Sequence, residues 1–193
     1  YLDKGKKVVI TGPSGSGKST LAKILNGSLK VKDINIFIDD SNYKNLNLNT
    51  FYLPQNSFII DGSLKKNIVF NENVVDENKF AECLQFSHLK KEILVQNQDF
   101  NFENQISQGE KQRIGIARAF YFNNFDIYIF DESTSGLDSS TEEFIIKNIL
   151  NQLKEKTIIF ITHNVNIIKN FDIHYKIQNS KLVKVEINEK INK

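Results

Sequence analysis

Residues 12–20 read Gly12-Pro13-Ser14-Gly15-Ser16-Gly17-Lys18-Ser19-Thr20 and fit the pattern G-x-x-x-x-G-K-[ST] at every required position. The pattern constrains the fold because it works only between a strand and a helix. Lys7-Val8-Val9-Ile10-Thr11 is a β-branched run ahead of it, and Leu21, Ala22, Ile24 and Leu25 form an apolar stripe at helical spacing behind it. Glycines at 12, 15 and 17 let successive backbone N–H groups turn inward towards an anion, an approach that side chains would block. Lys18 supplies a mobile ammonium for the β- and γ-phosphates of a nucleoside triphosphate, and Ser19 offers a hydroxyl to Mg²⁺. The helix starting near Gly17 aims its positive dipole end at the same phosphates.

Apolar runs at 8–10, 34–38, 126–131, 157–161 and 172–177 read as strands, while 17–27, 63–69, 77–86, 110–122, 140–153 and 164–169 have helical spacing. Alternation of the two predicts an α/β fold: a mainly parallel sheet covered by helices, with ligands held at the carboxyl ends of the strands. The block 56–122 breaks the alternation and reads as an α-helical subdomain inserted into a core made of 1–55 and 123–193.

Composition narrows the partners. The net charge of +2 comes from 25 basic and 23 acidic side chains spread along the chain, so no basic stripe marks a nucleic-acid surface. Cys83 is the single cysteine, which rules out a disulfide within one chain and suits a reducing compartment. No apolar run reaches the roughly 18–20 residues that cross a bilayer. The chain contains no methionine and begins at Tyr1, so the reading is of a piece of a longer polypeptide.

Asp126-Ile127-Tyr128-Ile129-Phe130-Asp131-Glu132 is an apolar strand ending in paired carboxylates. Phosphate-loop enzymes use such a pair to place one acid near Mg²⁺ and another near water. Asp131 is the candidate metal residue, acting through coordinated waters, and Glu132, on the opposite side of the strand, the candidate general base.

A further segment runs Gln105-Ile106-Ser107-Gln108-Gly109-Glu110-Lys111-Gln112-Arg113-Ile114-Gly115-Ile116-Ala117-Arg118-Ala119. It resembles the signature of the ATP-binding cassette ATPases, usually L-S-G-G-Q followed by a basic helical run. Ile106, Gln108 and Glu110 depart from that pattern, while Ser107 and Gly109 keep the positions that, in the family, contact the γ-phosphate of the opposite subunit. Other landmarks of the resemblance follow in order. Gln55, in Tyr52-Leu53-Pro54-Gln55, is similar to the glutamine that senses Mg²⁺ and water. Ser135-Gly136-Leu137-Asp138 is similar to the S-A-L-D loop, in which Asp138 couples the two sites of a dimer. His163, after Ile161-Thr162, is similar to the switch histidine that reaches the γ-phosphate.

The resemblance covers about residues 5–184. It implies a phosphate-loop NTPase core, ATP and Mg²⁺ as cofactors, and hydrolysis by a head-to-tail dimer with a second cassette domain that supplies the signature. It also implies that the antiparallel lobe carrying the adenine-stacking aromatic lies largely upstream of this chain. The phrase Phe58-Ile59-Ile60-Asp61-Gly62-Ser63-Leu64, then Asn67-Ile68, is similar to the exporter form of the family. The expected partner is a transmembrane domain, in the same polypeptide, and the expected place is the cytoplasmic face of the cell membrane. Alternative readings are an importer or soluble cassette ATPase, or a regulatory module that binds nucleotide without hydrolysing it.

Overall fold

The computed structural model describes residues 3–32, 36–38, 41–43, 48–71, 74–89 and 106–187. Tyr1, Gln105 and the first part of the strand expected at 34–38 lie outside them. Two compact units partition the chain: Tyr1–Tyr52, Phe125–Asp131 and Lys156–Lys193 form one, and Leu53–Asn124 with Glu132–Glu155 form the other.

The first unit carries β1 (Lys7–Thr11), α1 (Lys18–Leu25), β2 (Ile36–Ile38), β3 (Ser41–Tyr43), β4 (Thr50–Leu53), β5 (Ile127–Asp131), β6 (Thr157–Ile161), β7 (Ile173–Gln178) and β8 (Lys181–Val185). A six-stranded sheet runs in the order β4-β5-β6-β1-β7-β8, and among the described residues β2 pairs with β3. β1 is parallel to both β6 and β7, and β5 is parallel to β6. The sheet is mainly parallel, as the alternating pattern predicts. Every residue of β1 and β6 is buried, which is why both read as unbroken apolar runs rather than as alternating ones.

Val8, Ile10, Ile129, Ile159, Ile161 and Ile177 of the sheet pack with Ala22 of α1 in one core cluster. Aromatic rings fill the rest: Phe130 stacks on Phe160 at 5.6 Å between centroids, and Phe160 meets Phe171 at the same spacing. The register is level at the carboxyl ends, where Ile161 of β6 pairs with Ile10 on one side and Asp131 on the other.

The second unit holds α2 (Leu64–Val69), α3 (Glu77–Phe86), α4 (Gln108–Tyr121) and α5 (Ser139–Gln152). Each starts on a side-chain cap, from Ser63, Asp76, Ser107 and Asp138 in turn, which satisfies an otherwise orphaned first-turn N–H. α4 is the central element. A Cβ at Gly115 would come within 2.4 Å of Ser57 Oγ and 2.5 Å of Leu53 Cδ1, so glycine is needed for this approach. Arg118 is buried, with Nε donating to the Asn67 carbonyl at 2.6 Å and Nη1 to the Phe58 carbonyl at 2.8 Å. Burial pulls its pKa down to about 10, which still leaves it cationic at neutral pH.

Several details differ from the sequence reading. The segment expected as a helix at 164–169 is a 3₁₀ helix at Val165–Asn170, capped by the Asn164 side chain. Strands β3, β4 and β8 are additional. β8 escapes notice because it is largely exposed and joins β7 without a glycine: Asn179 and Ser180 themselves take φ 48° and 59°, the doubly positive geometry of a tight hairpin. α5 groups with the helical unit, where Asn148 Nδ2 donates to the Phe86 carbonyl at 3.0 Å.

Cys83 lies on α3 with 2% of its surface exposed. Burial pushes its thiol up to about 12, against an ordinary 9.0, so it stays neutral at pH 8. The native thiol is expected to react with a thiol-directed dye at pH 8 on the order of 100-fold more slowly than in urea, and equal rates would contradict this burial. A raised folded pKa also means that its contribution to stability is complete below pH 9.0 and lost as pH rises towards about 12.

Candidate nucleotide site

β1 delivers the chain into the glycine loop at the carboxyl edge of the sheet. Gly15 and Gly17 take φ 75° and 95°, left-handed values that a side chain would strain. At Gly12 the limit is space as well, since a Cβ would lie 3.0 Å from Ser16 Oγ and 3.1 Å from the Ile177 carbonyl. Gly17 is the N-cap of α1 and offers no side-chain cap, so the first-turn N–H groups keep their donor capacity for an anion.

Lys18 is buried and its ammonium donates to the carbonyls of Gly12 and Pro13, both at 3.0 Å. The loop thus holds the cation over its own mouth. Pro13, Ser14, Gly15, Ser19 and Thr20 are exposed, and the buried Ser16 Oγ has no hydrogen-bond partner among the described residues.

The parallel register places two more sequence-derived candidates at this edge. Asp131 ends β5, and the exposed His163 follows β6 by two residues. Asp131 is 2% exposed; its Oδ2 accepts a hydrogen bond from Tyr52 Oη at 3.1 Å, while its Oδ1 has no partner among the described residues. Burial first, and the Asp131 carboxylate second, push the Tyr52 phenol above its ordinary range, so it remains a donor. Tyr52 is the residue that sequence reasoning missed. Its partner is 79 residues away, and nothing local distinguishes it from a core tyrosine.

Among the described residues no group of three or more His, Cys, Asp and Glu side chains could hold a metal. Mg²⁺ characteristically keeps several waters and takes one or two carboxylates plus phosphate oxygens. The orphaned, buried Asp131 Oδ1 has the chemistry to accept from such a water.

The other candidates belong to the second unit. Glu132 is half-buried and takes φ 50°, a left-handed conformation that costs a non-glycine residue of order 1 kcal/mol. Gln55 is exposed, and its carbonyl accepts from Gln112 Nε2 at 3.4 Å. Ser107 is exposed and caps α4 through a reciprocal box: Ser107 N and Oγ each donate to Glu110 Oε2 at 2.7 Å, and Glu110 N donates to Ser107 Oγ at 3.3 Å. Gln108 is exposed, with Nε2 donating to Asn56 Oδ1 at 3.2 Å.

Gly109 is buried, and a Cβ there would lie 3.0 Å from the Gly136 carbonyl. Asp138 caps α5, accepting from Ser140 Oγ at 2.6 Å and Thr141 N at 3.0 Å. Hydrogen bonds from Ser140 and then Thr141 hold its carboxyl well below the usual carboxylate range.

Replacing Tyr52 by Phe leaves Asp131 Oδ2 without its phenolic donor. We expect a loss of about 1–2 kcal/mol of unfolding free energy in urea titrations, and an unchanged midpoint would show that the bond contributes nothing.

Comparison with known proteins fits these features. The ABC transporter family model matches residues 1–135. The lactococcin-G-processing and transport ATP-binding protein LagD of Lactococcus lactis subsp. lactis is 39% identical over 183 residues, covering 86% of this chain and 25% of its own length. The chain spans about a third or less of the length of the curated relatives it matches. Among solved structures, a bacterial Atm1-family ABC exporter with ATP bound superposes with a TM-score of 0.81 at 27% identity, over 94% of this chain and 33% of the other. The ATP-binding cassette MJ0796, in a dimeric post-hydrolysis state bound to ADP and Pi, gives 0.78 at 26% identity, over 97% of this chain and 89% of its own.

Proposed function

From the premise that this chain belongs to the ABC transporter family, we propose that it is the ATP-hydrolysing motor domain of an exporter. The observation that carries this reading is the pairing, at one sheet edge, of an uncapped helix start behind the glycine loop with the orphaned Asp131 carboxylate oxygen. One binds a triphosphate tail; the other accepts from water on its metal.

In this reading the loop amides and Lys18 hold the β- and γ-phosphates, and the ammonium exchanges two loop carbonyls for phosphate oxygens. Ser19 and Asp131 hold Mg²⁺, with Gln55 sensing it. When bound, the ion neutralises charge developing on the transferring phosphoryl group. Glu132 takes the proton of the attacking water and His163 contacts the γ-phosphate. Ser107, Gln108, Gly109 and Glu110 serve the nucleotide of a second cassette domain, and Asp138 links the two sites. The relative bound to ADP and Pi is dimeric, which supports this arrangement.

In this reading membrane-spanning segments of the same polypeptide are the partner, and they seat the domain on the cytoplasmic face. An aromatic shelf suits their docking. Phe58 is 59% exposed and Phe70 43% exposed, their rings stack at 6.0 Å, and the Arg118 guanidinium lies 4.4 Å from the Phe58 centroid. No described helix is itself long and apolar enough to cross a membrane.

In the intact polypeptide, Glu132→Gln is expected to keep nucleotide affinity and lower phosphate release by a factor of about 10²–10⁴, the usual worth of a general base. Turnover equal to wild type would remove Glu132 from the mechanism. A second expectation concerns Glu110, whose carboxylate occupies the end of α4 that faces the partner's phosphates in this reading. Glu110→Gln is expected to lower the ATP concentration for half-maximal dimerisation by about fivefold, the equivalent of ~1 kcal/mol between unit charges 4 Å apart in water. Sedimentation across an ATP titration measures it, and an unchanged midpoint would show that the charge does not face phosphate.

A further inference from the structure

We propose that Gln112 is a positioning residue that ties the signature end of α4 to the backbone of Glu132. The proposal rests on the reading of Glu132 as base. Gln112 is one turn into α4 and fully buried, an unusual place for an uncharged amide unless each of its atoms has work on a partner.

Its two ends meet opposite chemistry. Oε1 accepts from the Gly136 N–H at 2.9 Å. Nε2 faces acceptors: Ser135 Oγ at 3.1 Å, with the carbonyls of Gln55 and Glu132 both at 3.4 Å. A backbone N–H can only donate and a carbonyl can only accept, so the amide orientation follows from its partners. One side chain on the signature helix therefore holds three loops: the one carrying Gln55, the turn at Glu132, and the loop that leads to Asp138.

The fit is close at the backbone level. A Cβ at Gly136 would come 3.0 Å from Gln112 Oε1, so the alanine common at this place in the family's loop would crowd the bond that glycine permits. Gly109 approaches the Gly136 carbonyl on the same helix side. Ser107, five residues before Gln112, caps the same helix.

Glu132 needs such a support. With φ at 50°, its backbone sits in a conformation that relaxes unless neighbours hold it, and its carbonyl is one of the groups the Gln112 amide faces. A displacement of α4 when its first turn engages an anion is therefore carried to the turn that aims the base. In a head-to-tail pair, the signature of one subunit serves the partner's nucleotide while its Glu132 serves its own, so Gln112 makes each site sensitive to the occupancy of the other.

Two variants of the intact polypeptide separate the halves of this amide. Gln112→Leu removes both, and Gln112→Glu keeps the acceptor for Gly136 but sets a carboxylate oxygen against the carbonyls. We expect both to lower kcat on the order of tenfold or more while nucleotide affinity stays within about twofold, since the phosphate loop is not touched. Amide hydrogen exchange of Gly136 should accelerate in Gln112→Leu and stay slow in Gln112→Glu, with α3 unchanged in both. Wild-type kcat in either folded variant, or a parallel loss of affinity and protection throughout the domain, overturns the positioning role. Should the wild type itself release no phosphate, the motor reading fails, and Gly136 exchange decides on Gln112 alone: unchanged exchange in Gln112→Leu overturns it.

Discussion

The parallel register of three neighbouring strands is the constraint from which the nucleotide edge follows. Ile10, Ile161 and Asp131 lie side by side across β1, β6 and β5, so the strands finish level and deliver the glycine loop, His163 and Asp131 to one margin. Side chains alternate along a strand, and a slip of one residue in β5 would turn Asp131 to the opposite face of the sheet. Such a slip is opposed by Tyr128 and Phe130, both fully buried, which would have to leave the ring stack with Phe160.

Much of this was legible because the informative signals are local. The glycine loop announces itself through residues whose requirement is backbone geometry, and β1, β5 and β6 through runs too apolar to face water. What stayed hidden depends on partners far along the chain. Tyr52 acquires meaning only from Asp131, and Gln112, a polar residue in a polar helical segment, only from loops near residues 55 and 132–136. β4 and β8 were obscured differently. A four-residue strand has little room to show periodicity, and β8 is a mostly exposed edge strand whose pattern carries no burial signal.

Strain and satisfaction of polar groups are distributed unevenly about the acidic turn. Glu132 is held at positive φ, yet the residues that follow are the best packed of the loop: Ser133 is 0% exposed and Thr134 2%. Thr134 Oγ1 donates to the buried Glu142 carboxylate at 2.7 Å, and Glu142 N bonds the Asp138 carbonyl at 2.9 Å. The turn is thereby fastened to α5 through Thr134, and it is closed on itself by Ser135 N donating to the Glu132 carbonyl at 3.2 Å. A backbone of this kind holds an unfavourable dihedral because relaxing it would break several buried bonds at once, each worth about 1 kcal/mol or more when its partner is left unpaired.

Two helix starts treat their orphan donors in opposite ways, and the contrast bears on how an anion is chosen. α1 begins at a glycine with no side chain to cap it, so its N–H groups and dipole are committed to whatever the loop encloses. α4 begins with a closed capping box, in which Glu110 takes the Ser107 N–H and hydroxyl and sets a negative charge on the positive end. An anion reaches the first directly but must displace a carboxylate at the second. The first start therefore leaves its N–H groups open to an anion, whereas at the second an approaching anion meets the Glu110 carboxylate that closes the box.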